Sequence, residues 1–281
     1  MQVIEQIAEM REWSENSRRD GHRIVLVATM GFLHEGHLCL VRDAKAHGDR
    51  VVVSIFVNPK QFGPNEDFAA YPRDLERDAR WLEKDGVDIL FHPSVEAMYP
   101  PGAQTYVEVE RLSLPLCGAT RPAHFRGVAT VVAKLFNIIR PHAAVFGEKD
   151  YQQLQLIRRM ARDLSLDVEI IGHPIVREAD GLALSSRNAY LTTAERQAAL
   201  CLSRSLCKAD RLMRRGETSA RALLCLVRSE LEKEPLAEVE YVKLCDAETL
   251  EDIDKVDDTA VLALAVRFGK ARLIDNRLLR R

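Results

Sequence analysis

Short β-branched runs and longer helical stretches alternate along the first part of the chain, and this alternation restricts the fold more than any other feature. The strand-like runs cover 23–29, 50–57, 87–91, 143–147 and 167–172. Helical periodicity lies between them, near 37–47, 73–85, 127–139 and 150–164. Strands that alternate with helices of this length indicate βαβ units and a parallel sheet with covered faces. The chain is therefore predicted to be an α/β protein with a doubly wound parallel sheet, which binds ligands beyond the carboxyl ends of its strands.

The start of the chain and two glycines give further local expectations. An apolar set at helical spacing predicts an amphipathic N-terminal helix and not a signal peptide: Val3, Ile4, Ile7, Met10 and Trp13. Gly48 and Gly86 stand just past two predicted helices. A glycine in that position commonly adopts the left-handed conformation that ends a helix.

From about residue 177 the pattern changes. Two long helices are predicted at 192–214 and 218–233, followed by strands at 238–245, 259–267 and 271–275. Strands that follow helices without strict alternation are typical of a small α+β domain. We therefore expect domains at 1–176 and 177–281, with the active site between them.

The totals of the chain exclude several classes of protein. It has 281 residues, 47% of them hydrophobic, and a formal net charge of −2. That charge argues against a general nucleic-acid or anionic-membrane binder, and no apolar run approaches the ~20 residues of a membrane span. The six cysteines form no C-x-x-C pair, so a reduced, cytoplasmic protein without a zinc site is expected.

The segment His34-Glu35-Gly36-His37 lies where a strand pattern gives way to a helical one. His34 and His37 are three residues apart and so share one side of the first helical turn. A helix N-terminus offers free N–H groups to a phosphate, and Gly36 allows the backbone a close approach. The segment indicates a nucleotide-phosphate site, although a solvated turn would carry the same residues.

Other polar loops are predicted at the same edge of the sheet, and they contain donors and cations without an evident covalent nucleophile. No P-loop, dinucleotide fingerprint or serine nucleophile elbow is present in the sequence. The candidates are His34, His37, Lys149, Ser185, Ser186 and Arg187. Such a set suits attack by a substrate oxygen at a nucleotide phosphorus, where the protein aligns the groups and neutralises charge.

Several of these segments resemble one enzyme family. HEGH at 34–37 is similar to the HIGH signature of the nucleotidylyltransferase superfamily, and LSSR at 184–187 occupies the place of its mobile KMSKS-type loop. Four further segments narrow the resemblance: VATMG at 27–31, FVNPKQF at 56–62, GEKDYQQ at 147–153 and READGLALSSRN at 177–188. Together they resemble the pantothenate synthetase (pantoate–β-alanine ligase) family, with similarity from about residue 20 to 195.

This resemblance implies a Rossmann-like first domain that binds nucleotide and pantoate, and a small α+β second domain that acts as a lid. It implies an ATP-dependent condensation of (R)-pantoate with β-alanine through a pantoyl adenylate, with AMP and pyrophosphate as the other products. Mg²⁺ would accompany the nucleotide, and a homodimer is the implied assembly. The partners would be small molecules, not nucleic acid or membrane.

The resemblance also implies roles for individual residues. His34 and His37 would hydrogen-bond phosphate oxygens, with His37 as the proton donor, while Lys149 would reach the phosphates and Asp150 the ribose. The implied ATP-binding residues are Met30, Gly31, Phe32, Leu33, His34, Glu35, Gly36, His37, Gly147, Glu148, Lys149, Asp150, Val176, Leu184, Ser185, Ser186 and Arg187. The implied pantoate-binding residues are Met30, Asn58, Gln61, His124 and Gln153.

Some assignments stay open. Leu184 stands where the family commonly has methionine, and Phe32 is a bulky residue beside the first histidine. Asp74 and Asp78 fit either a metal site or a solvated helix face, so the metal ligands are unassigned, as is the base for the amine of β-alanine. The valines of the helix near 127–139 fit either an apolar wall for pantoate or simple core packing.

Three other functions share parts of this pattern. An adenylyl- or cytidylyltransferase that joins its nucleotide to a phosphorylated substrate would need more Arg or Lys than the set of Asn58, Gln61 and Gln153 provides. A fragment of a class I aminoacyl-tRNA synthetase would need a basic helical domain, which the sequence lacks. A catalytically silent ligand-binding or scaffold protein on this fold would bind nucleotide without converting it.

Overall fold

We describe the protein from a computed structural model, in which residues 1–64, 66 and 68–281 are described. The strands are β1 (Gln2–Ile4), β2 (Ile24–Thr29), β3 (Arg50–Ile55), β4 (Ile89–Phe91), β5 (Ala143–Gly147), β6 (Glu169–His173), β7 (Glu238–Asp246), β8 (Thr259–Phe268) and β9 (Ala271–Arg280). The α-helices are α1 (Ile7–Arg19), α2 (Glu35–Ala44), α3 (Leu75–Lys84), α4 (Val95–Met98), α5 (Cys117–Thr120), α6 (His124–Ile139), α7 (Tyr151–Asp163), α8 (Thr193–Ala198), α9 (Leu200–Met213) and α10 (Ala220–Leu231). Short 3-10 helices cover Pro59–Gln61, Glu148–Asp150 and Ser186–Tyr190.

The chain divides into two compact units. The first contains Met1–Ser113, Arg121–Glu148 and Gln153–Pro174. The second contains Leu114–Thr120, Lys149–Gln152 and Ile175–Arg281. The second unit therefore takes two short segments from the first part of the chain.

The first unit is built on a parallel sheet. Within the described ranges the sheet has six strands in the order β1-β4-β3-β2-β5-β6. The central strand β2 is apolar on both faces, with Ile24, Val25, Leu26 and Val27 fully buried, as expected where helices cover both sides. The chain leaves β2 for β3 on one side, while β5 pairs with β2 on the other. This reversal creates the crevice at which such sheets bind ligands.

The second unit packs helices on an antiparallel sheet of three strands, counted over its described residues, in the order β7-β8-β9. Its core joins α9 and α10 to this sheet through residues that include Leu202, Leu206, Leu223, Val227 and Leu264. The predicted fold class, a doubly wound parallel sheet followed by a smaller α+β unit, is confirmed.

Three local predictions are wrong. Val3 and Ile4 do not continue a helix, because β1 pairs in parallel with β4, and this pairing buries Ile4 completely. Gly48 has no positive φ; it is required because a Cβ there would lie 2.6 Å from the carbonyl oxygen of Arg23. The helix expected over 192–214 is divided at Ala199 into α8 and α9.

Two other expectations concern Gly86 and the valines of α6. Gly86 follows α3 with φ of +67°, which confirms its role in ending that helix. Val128, Val131 and Val132 are all buried in α6, in agreement with core packing. Among the described residues, no helix combines the length and apolar character needed to cross a membrane.

Candidate active site

His34 and His37 meet at the N-terminus of α2, in the loop that follows β2. His34 is extended, with φ of −135° and ψ of 172°, and α2 begins at the next residue. Its backbone N–H donates to Nδ1 of His37 at 3.3 Å, and the two ring centroids are 4.0 Å apart. Because Nδ1 accepts this bond, the proton of a neutral His37 ring is assigned to Nε2. His37 therefore carries a side-chain N–H donor at a helix N-terminus, where the helix dipole is positive.

The preceding loop has an unusual backbone. Gly31 and Phe32 have φ of +81° and +50°, and a Cβ on Gly31 would lie 2.9 Å from Ile55. Two consecutive left-handed residues turn the chain sharply between β2 and α2, at a cost that is appreciable for phenylalanine. Such a conformation must be held by its surroundings.

Helix α3 supplies that support. Asp78 is 1% exposed, and its Oδ1 accepts a hydrogen bond from Leu33 N at 2.9 Å. Arg77 donates to the carbonyl oxygen of Leu33 at 3.1 Å and lies 4.4 Å from the ring centre of Phe32. Asp74 caps α3 by accepting from Arg77 N. The solvated face considered for Asp78 is therefore wrong, since this carboxylate is buried and supports the loop.

A second polar group lies after β3. Asn58 Nδ2 donates to Gln61 Oε1 at 3.0 Å, and Gln61 Nε2 contacts the sulfur of Met30 at 3.1 Å. His124, at the start of α6, holds the carbonyl oxygen of Gln61 through Nδ1 at 2.9 Å. The structure thus brings together Met30, Asn58, Gln61 and His124, which are separated by long stretches of sequence.

A glycine makes this arrangement possible. A Cβ on Gly127 would lie 2.3 Å from the carbonyl oxygen of Lys60 and 2.7 Å from Cα of Gln61. The backbone of α6 therefore packs directly against the loop that carries Gln61. Gln153 lies half-buried in the first turn of α7, which follows β5 at the same edge of the sheet.

The loop around Gly147 spans the boundary between the units. Gly147 ends β5, and Glu148 lies in the first unit. Lys149 and Asp150 belong to the second unit, where the Lys149 ammonium is 4.0 Å from the Asp150 carboxylate. Asn276 Nδ2 donates to the carbonyl oxygen of Lys149 at 2.9 Å, which ties this loop to β9. The backbone of Lys149 is therefore held by a hydrogen bond, and its side chain is 20% exposed.

The remaining candidates lie on a hairpin of the second unit. Leu184 N donates to Val176 O at 3.0 Å, and Arg177 and Ala183 form an antiparallel β-bridge. Ser185 caps the following 3-10 helix by accepting from Arg187 N at 3.2 Å. Ser186 and Arg187 are half-buried. Glu35, by contrast, pairs with Arg42 at the surface of the first unit.

Sequence reasoning missed several supporting residues. Arg77 and Tyr99 carry no motif, although Tyr99 donates to Asn58 Oδ1 at 2.9 Å. Arg121 forms a two-pronged ion pair with Glu66, at 2.6 and 2.5 Å, and also reaches Gln61 O at 3.3 Å. The one available signal was an arginine close to His124 in a short loop.

Comparison with known proteins identifies the family of this chain. The family model for pantoate–β-alanine ligase matches residues 2–278. This chain belongs to the pantoate–β-alanine ligase family. The resemblance found in the sequence motifs is confirmed, and by family the protein is a ligase of pantothenate biosynthesis.

Individual relatives match over nearly the whole chain. A pantothenate synthetase from Geobacter sulfurreducens is 55% identical over 276 residues, covering 98% of both chains. The crystal structure of pantothenate synthetase from Thermus thermophilus is 46% identical and superposes with a TM-score of 0.93, covering 99% of both chains. The ligase from Francisella tularensis, complexed with β-γ ATP and β-alanine, is 36% identical with a TM-score of 0.79, covering 99% of this chain and 97% of that one.

Proposed function

We propose that this protein condenses (R)-pantoate with β-alanine at the expense of ATP, through a pantoyl adenylate. The observation that carries the proposal is the arrangement after β2 and β3: an N–H donor on His37 at the start of α2, and neutral amides at Asn58 and Gln61. The first suits a nucleotide phosphate, and the second suits an acid that also bears hydroxyls.

In the first step the pantoate carboxylate attacks the α-phosphorus of ATP. A new P–O bond forms while the bond to the bridging oxygen breaks, and the electron pair leaves with pyrophosphate. Negative charge grows on the bridging and equatorial oxygens. His37 Nε2–H, His34, the N-terminus of α2 and the Lys149 ammonium would stabilise this charge.

In the second step the amine of β-alanine attacks the carbonyl carbon of the mixed anhydride, and AMP leaves with the electrons of the broken C–O bond. Water would hydrolyse the same intermediate, so the site must exclude it. The second unit, in its proposed role as a lid, would exclude this water. Its segment 184–187 would contact the departing pyrophosphate.

The other nucleotide contacts follow the family pattern. We assign the ribose to Asp150 and the adenine to the backbone of Val176, whose carbonyl already accepts one bond from Leu184 N. The residues proposed to line the nucleotide further are Met30, Gly31, Phe32, Leu33, Glu35, Gly36, Gly147 and Glu148. Pantoate would be held by Met30, Gln61, His124 and Gln153, with Asn58 behind Gln61.

Mg²⁺ is proposed as the companion of ATP. Within the described residues, no group of three or more His, Cys, Asp or Glu could hold a metal ion. Mg²⁺ is usually bound by substrate phosphates and water with one or two carboxylates, so an ion that arrives with the nucleotide does not require such a group. Its chemistry there would be to neutralise phosphate charge.

A homodimer and a cytoplasmic location complete the proposal. The dimer follows from the family resemblance, and sedimentation of the purified chain would test it. The six cysteines, all in the described part of the chain, are free thiols, which suits a reducing compartment.

The decisive experiment is exchange of labelled pyrophosphate into ATP without β-alanine. Exchange that requires pantoate would support both the adenylate and the acid substrate. Tight ATP binding without pantoate-dependent exchange would exclude the stepwise mechanism.

A further inference from the structure

The amide of Asn58 has one possible orientation, because backbone groups contact both of its ends. Its Oδ1 accepts a hydrogen bond from Lys60 N at 3.2 Å, and Nδ2 donates to Gly127 O at 3.0 Å. A backbone N–H can only donate and a carbonyl can only accept, so exchanging the amide oxygen and nitrogen would oppose like groups at both contacts. Asn58 is 1% exposed, which leaves no water to compensate such a reversal.

This orientation determines the polarity of Gln61. The same Asn58 Nδ2 donates to Gln61 Oε1 at 3.0 Å. The oxygen of Gln61 is thereby directed inward, and its NH₂ group is directed to Met30, whose sulfur lies 3.1 Å from Nε2. A thioether is a weak acceptor. An oxygen of a bound ligand would therefore be a stronger acceptor for the same NH₂ group.

Tyr99 adds a third donor to this chain of bonds. Its hydroxyl lies 2.9 Å from Asn58 Oδ1, which can only accept, so the phenol donates. Burial raises the pKa of Tyr99 well above its usual value, with a smaller contribution from Tyr106. The hydroxyl therefore keeps its proton at neutral pH.

We propose that Tyr99, Asn58 and Gln61 form a donor relay that gives the acid-binding site a single polarity, with Tyr99 as a positioning residue. In this relay each group donates to the next, and Gln61 Nε2 donates to an acceptor oxygen of the acid substrate. The proposal rests on the assignment of pantoate to Gln61 made above. It adds a specificity rule: at this position the substrate must present a lone pair, and a group that can only donate is rejected.

The first test is Tyr99→Phe in the full-length chain, with Tyr106→Phe as the matched control because Tyr106 is a neighbouring tyrosine outside the relay. Loss of one hydrogen bond to Asn58 should raise KM for pantoate about threefold to tenfold, while kcat and KM for ATP stay within about twofold. Tyr106→Phe should leave all three constants unchanged. An unchanged KM for pantoate in Tyr99→Phe would overturn the relay, as would an equal rise in KM for both substrates.

The second test reverses the relay. Asn58→Asp keeps an acceptor for Lys60 N and Tyr99 but removes two N–H donors, the one to Gln61 Oε1 and the one to Gly127 O. In variant protein that circular dichroism shows to be folded, the Gln61 amide should therefore turn and present its oxygen. KM for pantoate should then rise by more than about thirtyfold. Adding Tyr99→Phe to Asn58→Asp should raise this KM by less than about twofold further. Fully multiplicative effects of the two substitutions would contradict coupling between these residues.

A third measurement needs no activity and so separates this inference from the proposed function. NMR of the free protein with ¹⁵N-labelled asparagine follows hydrogen exchange of the Asn58 side-chain NH₂. Tyr99→Phe should speed this exchange by at least about fivefold, whereas Tyr106→Phe should not. If the exchange responds but no pantoate-dependent activity exists, the assigned substrate is wrong and the relay stands. If the exchange does not respond, the relay is wrong whatever the activity.

Discussion

The backbone N–H of His34 donates to Nδ1 of His37, and this contact leaves Nε2 of His37 as the donor at the start of α2. Removing that donor should affect the transition state more than the bound nucleotide. We expect His37→Ala to slow pantoate-dependent ATP–pyrophosphate exchange about 100-fold to 1000-fold, with the Kd for ATP changed less than about threefold.

His47→Ala is the matched control for this experiment. His47 pairs with Asp43 just beyond the end of α2, outside the proposed site, and its replacement should leave exchange unchanged. A wild-type exchange rate in His37→Ala would remove His37 from the mechanism.

Gly127→Ala should destabilise the protein although alanine favours a helix by about 1 kcal/mol. The added methyl would lie 2.3 Å from the carbonyl oxygen of Lys60, and backbone atoms cannot move aside cheaply. We expect a net loss of about 2–3 kcal/mol in the free energy of unfolding, together with a higher KM for pantoate, because Gln61 is displaced. Urea unfolding measures the first effect. Gly147→Ala, where a Cβ meets nothing within 4 Å, should change stability by less than about 0.5 kcal/mol.

The ion pair between Arg177 and Asp275 should stabilise the second unit through its geometry. Its two hydrogen bonds are 2.7 and 2.8 Å long, and the Asp275 side chain is 2% exposed. Arg177→Met would leave a buried carboxylate unpaired, which we expect to cost about 3–5 kcal/mol in urea unfolding. The double variant Arg177→Met/Asp275→Leu should recover much of this loss.

The exposed pair of Arg159 and Asp163 on α7 provides the comparison. Both side chains are about half exposed, so Arg159→Ala should cost less than about 0.5 kcal/mol. Equal losses in Arg177→Met and Arg159→Ala would show that burial contributes nothing to the Arg177 pair.

Glu66 should make the free energy of unfolding depend on pH in the acidic range. Burial alone would raise the pKa of Glu66, but the hydrogen bonds and charge of Arg121 outweigh it and hold this pKa below the usual value for a glutamate. A carboxyl group with a lowered pKa in the folded state stabilises the protein fully above its unfolded pKa, and this contribution is lost as the pH falls through the folded pKa.

We therefore expect Glu66→Gln to be destabilised by about 1 kcal/mol at pH 7, with the difference from wild type shrinking as the pH falls below about 4.5. Urea unfolding at several pH values measures this difference. The control is Glu169→Gln, which removes a half-exposed pair with Arg23 and should show a smaller difference. A difference for Glu66→Gln that stays constant from pH 7 to 3 would contradict the lowered pKa.

The sequence by itself determined the fold class, the edge of the sheet at which the polar loops lie, and most of the candidate residues. These follow from local patterns: periodicity identifies each strand and helix, and chain order then requires a parallel sheet with its loops at one edge. The same patterns place His34 and His37 at the start of α2 without any knowledge of packing.

The tertiary structure alone decided what supports those residues. Tyr99 reaches Asn58 across 41 positions, and Asp78 reaches Leu33 across 45. Likewise β1 forms because Gln2–Ile4 pairs with β4. Position 48 requires glycine because the carbonyl oxygen of Arg23 lies against it. A local pattern cannot specify such contacts, because each one depends on how two distant elements pack against each other. The polarity of Gln61 belongs to this second class, since it is fixed by backbone atoms of Lys60 and Gly127 that meet only in the folded protein.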